Sequence, residues 1–170
     1  MYKKEVDWSL LHEGVGIPVT IQVVFQHSIN QFLSRGQSKN IYLVIEGKTY
    51  KAELKNQKFD ERKYPNRTDI MQIRYNPQSD IAQKLRNIFS SSYQYILEQR
   101  NAIFDKQKKF INVPKEQKEY LAIYTTVYAD TYLLDCITRE DTIATKEQIA
   151  HEDEQEYETS INYGLMDSKA

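Results

Sequence analysis

Residues 41–54, IYLVIEGKTYKAEL, decide the fold. Ile41–Ile45 is an unbroken apolar run of the length that a buried strand takes. Glu46-Gly47 supplies a tight turn that right-twisted strands accept, and Thr49–Leu54 alternates as a second strand. A β-hairpin here predicts antiparallel pairing, and the flanking segments extend it.

Downstream, Asn56–Thr68 carries Pro65, two asparagines and almost no aliphatic side chains, which predicts an exposed loop. Ile70–Tyr75 resumes strand patterning until Asn76-Pro77 ends it. From Ser79, an N-cap, Ile81, Leu85, Ile88, Phe89, Ile96 and Ile103 fall near one face of a long helix that bends or splits at Ser90-Ser91-Ser92. Glu119–Thr126 and Thr131–Thr138 read as two strands around Tyr128-Ala129-Asp130. Upstream, Ile21, Val24, Phe25, Ile29, Phe32 and Leu33 follow helical spacing after Pro18, although the β-branched run VTIQVV (19–24) is a competing strand signal. Repeated βαβ alternation is absent. The expectation is an α+β fold: an antiparallel sheet or open barrel-like sheet with one long helix and a shorter N-terminal helix.

The chain has 170 residues, 40% of them hydrophobic and 12% aromatic, enough for one sizeable core and too few for two. Residues 1–138 are therefore expected to form a single domain. Beyond it the composition shifts: residues 140–170 hold nine acids and two bases, so 139–170 reads as an acidic, poorly ordered tail. The plain reading is a solvated extension; a sharper one folds the tail over a basic face, where it competes with nucleic acid. Cys136 is the single cysteine and cannot form an intramolecular disulfide, which fits a reducing, cytoplasmic compartment. The longest apolar stretches, near 17–25 and 41–45, are far shorter than the ~20 residues a spanning helix needs, so no membrane partner is expected. The N-terminus reaches acids and Trp8 before any signal-peptide-like run builds up.

Charge is distributed unevenly. Residues 35–74 contain ten Lys and Arg against five acids, in a chain of net charge -1. Such an excess, interleaved with Tyr and Phe, suits a phosphate-rich partner, because cations neutralise the backbone and aromatic faces stack on bases. Basic residues on a hairpin and in a loop are also ordinary solubility features, and Tyr42, Tyr50 and Tyr75 are equally readable as sheet packing.

Catalytic signals are incomplete. Glu46-Gly47-Lys48 and Glu53-Leu54-Lys55 each match the Glu-x-Lys half of a metal-dependent nuclease site but have no upstream Asp at a strand end. His12, His27 and His151 lack ligand spacing, and Cys136 in LLDCIT reads as a buried, inert thiol. No GxxxxGK[ST] loop occurs, and Gly14-Val15-Gly16 lacks the third glycine of a dinucleotide turn. No catalytic residue, metal ligand or cofactor is expected.

The segments EVDWSLLHEGVGIPVTI, FLSRGQSKNIYLVIEGKTYKAELKN, DIMQIRYNPQSDIAQKLRNIFSSSYQYILEQR and VPKEQKEYLAIYTT, in that order, resemble an amino-terminal module found in bacterial HNH endonucleases and in methylcytosine-dependent restriction systems. The resemblance covers about residues 5–138. It implies a DNA-recognition module of the B3-like kind, joined to a separate cleavage domain. This sequence departs from that plan, since it ends in an acidic tail with neither HNH nuclease nor GTPase motor.

The leading expectation is a DNA-binding recognition module of a restriction or phage-defence system, working with a nuclease or motor on another polypeptide. Arg35, Lys39, Lys58, Arg62, Lys63 and Arg67 would hold phosphates, with Lys48 also in the DNA-binding set. Asn56, Gln57, Asn66 and Arg74 would read base edges, and Tyr64 would stack on a base. Two alternatives stand beside it: a protein-interaction module for a partner subunit, and a metal-dependent nuclease using Glu46 or Glu53.

Overall fold

The computed structural model describes residues 1–103 and 111–144. Seven strands form one sheet: β1 (Tyr2–Glu5), β2 (Gly14–Ile17), β3 (Ser38–Ile45), β4 (Lys48–Asn56), β5 (Met71–Arg74), β6 (Tyr120–Thr125) and β7 (Thr131–Ile137). Their spatial order is β1-β6-β7-β3-β4-β5-β2. The Tyr2 hydroxyl donates to the Gly16 carbonyl at 3.2 Å, tying the two edge strands together, so the sheet curls into a nearly closed barrel. The fold is α+β, as the sequence predicts.

Every ladder is antiparallel except β3–β7, which runs parallel over Tyr42–Val44 and Thr131–Leu133. That pair departs from the all-antiparallel expectation. The β3–β4 turn is as read: Glu46 and Gly47 both have positive φ, 51° and 78°, the geometry a two-residue hairpin turn requires. In β4, Tyr50, Ala52, Leu54 and Asn56 point inward while Lys51, Glu53 and Lys55 point out. A one-residue slip would exchange the two sets, so burial fixes the register.

The inward side chains Leu43, Leu54, Ile73, Leu121 and Tyr132 belong to one core that extends from Val6 to Leu134. Three helices gather at the barrel end that carries the β3–β4 turn: α1 (Trp8–His12), α3 (Asp80–Ile88) and α4 (Ser90–Ala102). Lys84 of α3 pairs with Glu46 of that turn at 3.3 Å. The opposite end holds α2 (Gln22–Ser28), preceded by a 3-10 turn at Val19–Ile21. The helical reading after Pro18 thus prevails over the strand signal in VTIQVV. The helix stops short of Phe32, however, because Asn30 turns the chain at φ 51°.

The expected long helix is two. Ser79 caps α3 as anticipated, its hydroxyl accepting from Ala82 N at 3.3 Å. The break falls at Phe89 (φ -90°, ψ 42°), one residue before the serines, where the ring enters the core. Phe89 cannot cap α4 with its side chain, and Glu119, the residue before β6, does so instead. Its Oε1 accepts from Ser92 N at 2.9 Å and Ser92 Oγ at 2.7 Å. Its Oε2 accepts from Arg139 N at 3.0 Å, so one buried carboxylate fastens α4 to the chain after β7. There Thr138 and Asp141 cap each other and open a helical turn at 139–144. The rest of the acidic tail, with His151, lies outside the described residues.

Candidate nucleic-acid interface

The outer face of β3, β4, β5 and β2 is a polar grid set by strand register. Asn40, Glu53, Arg74 and Gly14 lie across from one another in one row; Ser38, Lys55, Gln72 and Gly16 form the next; Lys51 stands opposite Tyr42 beyond them. Gly14 is obligatory there: its φ is 145°, and a Cβ would fall 1.9 Å from the Ile73 carbonyl oxygen. With no side chains at 14 and 16, β2 leaves a bare trough beside Arg74.

Three adjoining clefts meet at Arg74. One of about 460 Å³ runs past Asn40, Lys51, Glu53, Lys55 and Asn76. One of about 360 Å³ lies between Gly36, Lys55, Gln57, Lys58 and Gln72. The third, about 300 Å³, follows the seam between β1 and β2 past Tyr2, Lys4 and Gln72. The side chains of Lys51, Lys55, Lys58, Arg62 and Arg74 make no hydrogen bond or ion pair with any described residue. Glu53 is the single acid on the grid.

The loop 57–69 continues this face, and Arg35 pins it. Nε of Arg35 donates to Asp69 Oδ1 at 2.7 Å, NH1 to Glu61 Oε1 at 2.8 Å and NH2 to the Arg67 carbonyl at 3.2 Å, while the guanidinium sits 4.5 Å from the Phe59 ring centroid. The hydrogen bond to Asp69, then that to Glu61, pushes its pKa further up. Arg35 is therefore engaged in holding the loop. Among the described residues, neither Glu61 nor Asp69 forms an ion pair with another cation of the loop. Arg67 lies over Phe59 and Tyr64, and Lys63 over Tyr64, an aromatic scaffold that orients cations outward.

The expected site residues separate into groups. Gln57, Lys58, Arg62, Lys63, Tyr64, Asn66, Arg67 and Arg74 are all exposed on this face and loop. Lys39, like Arg35, is used internally: Nζ donates to the Ile29 carbonyl at 2.9 Å and lies 3.0 Å from Asp130 Oδ1, fastening α2 to the β6–β7 turn. Asn56 is fully buried, its amide donating to the Leu33 carbonyl at 3.0 Å, which removes it from any base-reading role. Lys48 stands at the far end of β4, about 26 Å from Asn56 at 3.3 Å per residue, over the Tyr50 ring. Lys51, Lys55 and Gln72 join the face without having been expected there. The alternation K-A-E-L-K-N over 51–56 puts Lys51 and Lys55 on one side of the strand, and that is where the signal lay.

The remaining chemical candidates have structural roles. Glu46 is in the hairpin turn and paired with Lys84, and Glu53 faces Arg74 across the ladder. Among the described residues no three His, Cys, Asp or Glu side chains come together to hold a metal. His12 is buried, stacked on Trp8 at 3.7 Å, with Nδ1 2.9 Å from the Trp8 carbonyl. Cys136 is half-buried on β7, and burial pushes its thiol up to about 12, which leaves little thiolate at neutral pH. Tyr50 is buried in the core, and Tyr75 donates its hydroxyl to the Leu10 carbonyl. No helix among the described residues is long and apolar enough to cross a membrane. Compared with known protein families, curated proteins and solved structures, the chain matches none.

Proposed function

We propose that this chain is a DNA-recognition module of a restriction or phage-defence system, acting in the cytoplasm, and that it docks duplex DNA against the outer face of β4 and β5. The observation that carries the reading is Arg74, unpartnered among the described residues at the junction of three clefts, with Lys51, Lys55 and Lys58 around it. The spacing supports it. Lys51 and Lys55 are four residues apart on one strand, about 13 Å, close to the ~12 Å width of a major groove. Arg74 pairs in register with Glu53, midway between those lysines. The lysines, with Lys58, Arg62, Lys63 and Arg67, would hold phosphates on either side while Arg74 enters the groove. Glu53 repels phosphate but accepts from a base amino group, which favours base edges at the centre of the face. The resemblance of residues 5–138 to restriction-associated modules supplies the biological setting, with strand cleavage coming from another domain or polypeptide.

Fluorescence anisotropy with a duplex library tests the assignment. Arg74→Ala is expected to lower affinity for the preferred sequence by about 1–3 kcal/mol and to relax its selection, whereas Lys48→Ala changes little. Equal losses from the two substitutions would remove the face from consideration.

A second reading, a docking module for a partner subunit, draws on a different surface. Val127 and Tyr128, at the tip of the β6–β7 turn, are 95% and 72% exposed, and Val23 and Val24 of α2 are exposed as well. Tyr128→Asp would then abolish partner capture while leaving nucleic-acid affinity intact.

A further inference from the structure

The basic face and the end of the chain carry opposite charge. Residues 145–170 contain seven acids and two bases, and five of the acids fall within EDEQEYE, residues 152–158. On the face and its loop, Lys51, Lys55, Lys58, Arg62 and Arg74 have no partner among the described residues, and Lys63 and Arg67 rest only over aromatic rings. Three neighbouring acids are engaged elsewhere, Glu61 and Asp69 with Arg35 and Asp60 with the backbone N–H groups of Arg62 and Lys63, which leaves Glu53, opposite Arg74, as the one acid on the face itself.

We infer that residues 152–158 occupy this face in cis, as an acidic substitute for the phosphate backbone that nucleic acid displaces. The chain is long enough. The described part reaches residue 144, beyond the end of β7 and next to the helix-bearing end of the barrel. From there to residue 158 is fourteen residues, about 46 Å when extended, against a barrel about 26 Å long along β4. A short tether of this kind holds its end at an effective concentration near millimolar, so a contact too weak to form between separate molecules persists within one. Tyr157, in the middle of the acids, adds an aromatic ring of the sort that packs beside arginine. The docking surface is the one assigned above to DNA, and the regulatory consequence rests on that reading; the contact itself does not.

Two measurements on the full-length chain separate the two ideas. The first is zero-length carbodiimide cross-linking at low salt, with the joined peptides identified by mass spectrometry. Glu152, Asp153, Glu154, Glu156 or Glu158 is expected to join Lys51, Lys55 or Lys58 within a single chain, at a yield independent of protein concentration and abolished at high salt. Links from these acids only to Lys84, Lys115 or Lys118, or only between molecules, would overturn the inference whether or not the protein binds DNA. The second is DNA affinity of the full chain with those five acids changed to Gln or Asn. If the face is open one-tenth of the time, neutralising the tail tightens binding about tenfold. Intramolecular links in a protein that binds no DNA would leave the inference standing and remove the DNA reading. Unchanged affinity in a protein that does bind DNA would overturn the inference and leave the DNA reading intact.

Discussion

The helix-bearing end of the barrel and the outer face of β4 and β5 treat charge differently. At the helix-bearing end, charges are consumed internally: Glu119 takes three hydrogen bonds, Arg86 donates to the carbonyls of Leu11 and Pro77, Lys84 pairs with Glu46, Lys118 with Glu5, and Arg100 lies 3.8 Å over Trp8. On the outer face of β4 and β5 and along the loop 57–69, Lys51, Lys55, Lys58, Arg62 and Arg74 form no ion pair among the described residues. Lysines and arginines occur in both regions, so abundance does not distinguish them. What differs is the number of acids left over, and Arg35 lowers that number by binding two. Charge built into a fold is satisfied within it, whereas charge left unsatisfied on a flat, rigid face is available to a partner.

The largest effect is expected at the consumed end. Glu119→Ala leaves Ser92 N, Ser92 Oγ and Arg139 N without their acceptor and uncaps α4, at a cost of about 3 kcal/mol measured by urea denaturation. The cost should be insensitive to salt, because the carboxylate is buried. A loss below about 1 kcal/mol would mean that this end is no better satisfied than the face, and the contrast would collapse.

A smaller effect is expected where the two regimes meet. Arg35→Ala frees Glu61 and Asp69 to neutralise the neighbouring cations and releases the loop from Phe59. Trypsin should then cut after Lys58, Arg62 or Lys63 several-fold faster, and DNA affinity should fall as the loop loses its shape. Unchanged cleavage within 58–67 would show that the loop holds its shape without the clamp.

The smallest effect is a pH dependence at His12. Burial, assisted by Arg86 and Arg100 and opposed by the Trp8 carbonyl and Glu13, lowers its pKa. The folded state then binds fewer protons than the unfolded state between the lowered value and about 6.5. Its contribution to stability is complete above that pH and is lost as pH falls through the folded value. Melting temperatures at pH 7.5 and 5.5 should diverge less for His12→Gln than for the wild type. An identical divergence would assign the titration to other groups.

The hairpin at 41–54 was legible because burial on one face writes a period of two into the residues themselves. So was the turn at Glu46-Gly47, where two successive positive φ angles demand such a pair. β1 was not legible: YKKE has no apolar alternation, because an edge strand held by one neighbour needs none. β2 was hidden by its glycines, which weaken strand propensity but are needed where Ile73 approaches. α1 is only five residues long, too short for periodicity, although Asp7 accepting from Leu10 N is a cap that the sequence offers. The parallel β3–β7 pairing depends on the path of the chain and not on composition. At the candidate site the cationic excess was visible, but its division was not. Whether Arg35 and Lys39 face inward partners or solvent depends on side chains 34 and 91 residues away, at Asp69 and Asp130.

Binding of a nucleic-acid backbone by the cations around Arg74 should show in the salt dependence of DNA affinity. Association constants should be measured for the wild type and for the Lys51→Ala, Lys55→Ala, Lys58→Ala triple variant over a series of salt concentrations. If each of these lysines neutralises one phosphate, the slope of log K against log salt should be shallower in the variant by about 2.7. Parallel slopes, or wild-type binding indifferent to salt, would mean that these lysines hold no phosphates.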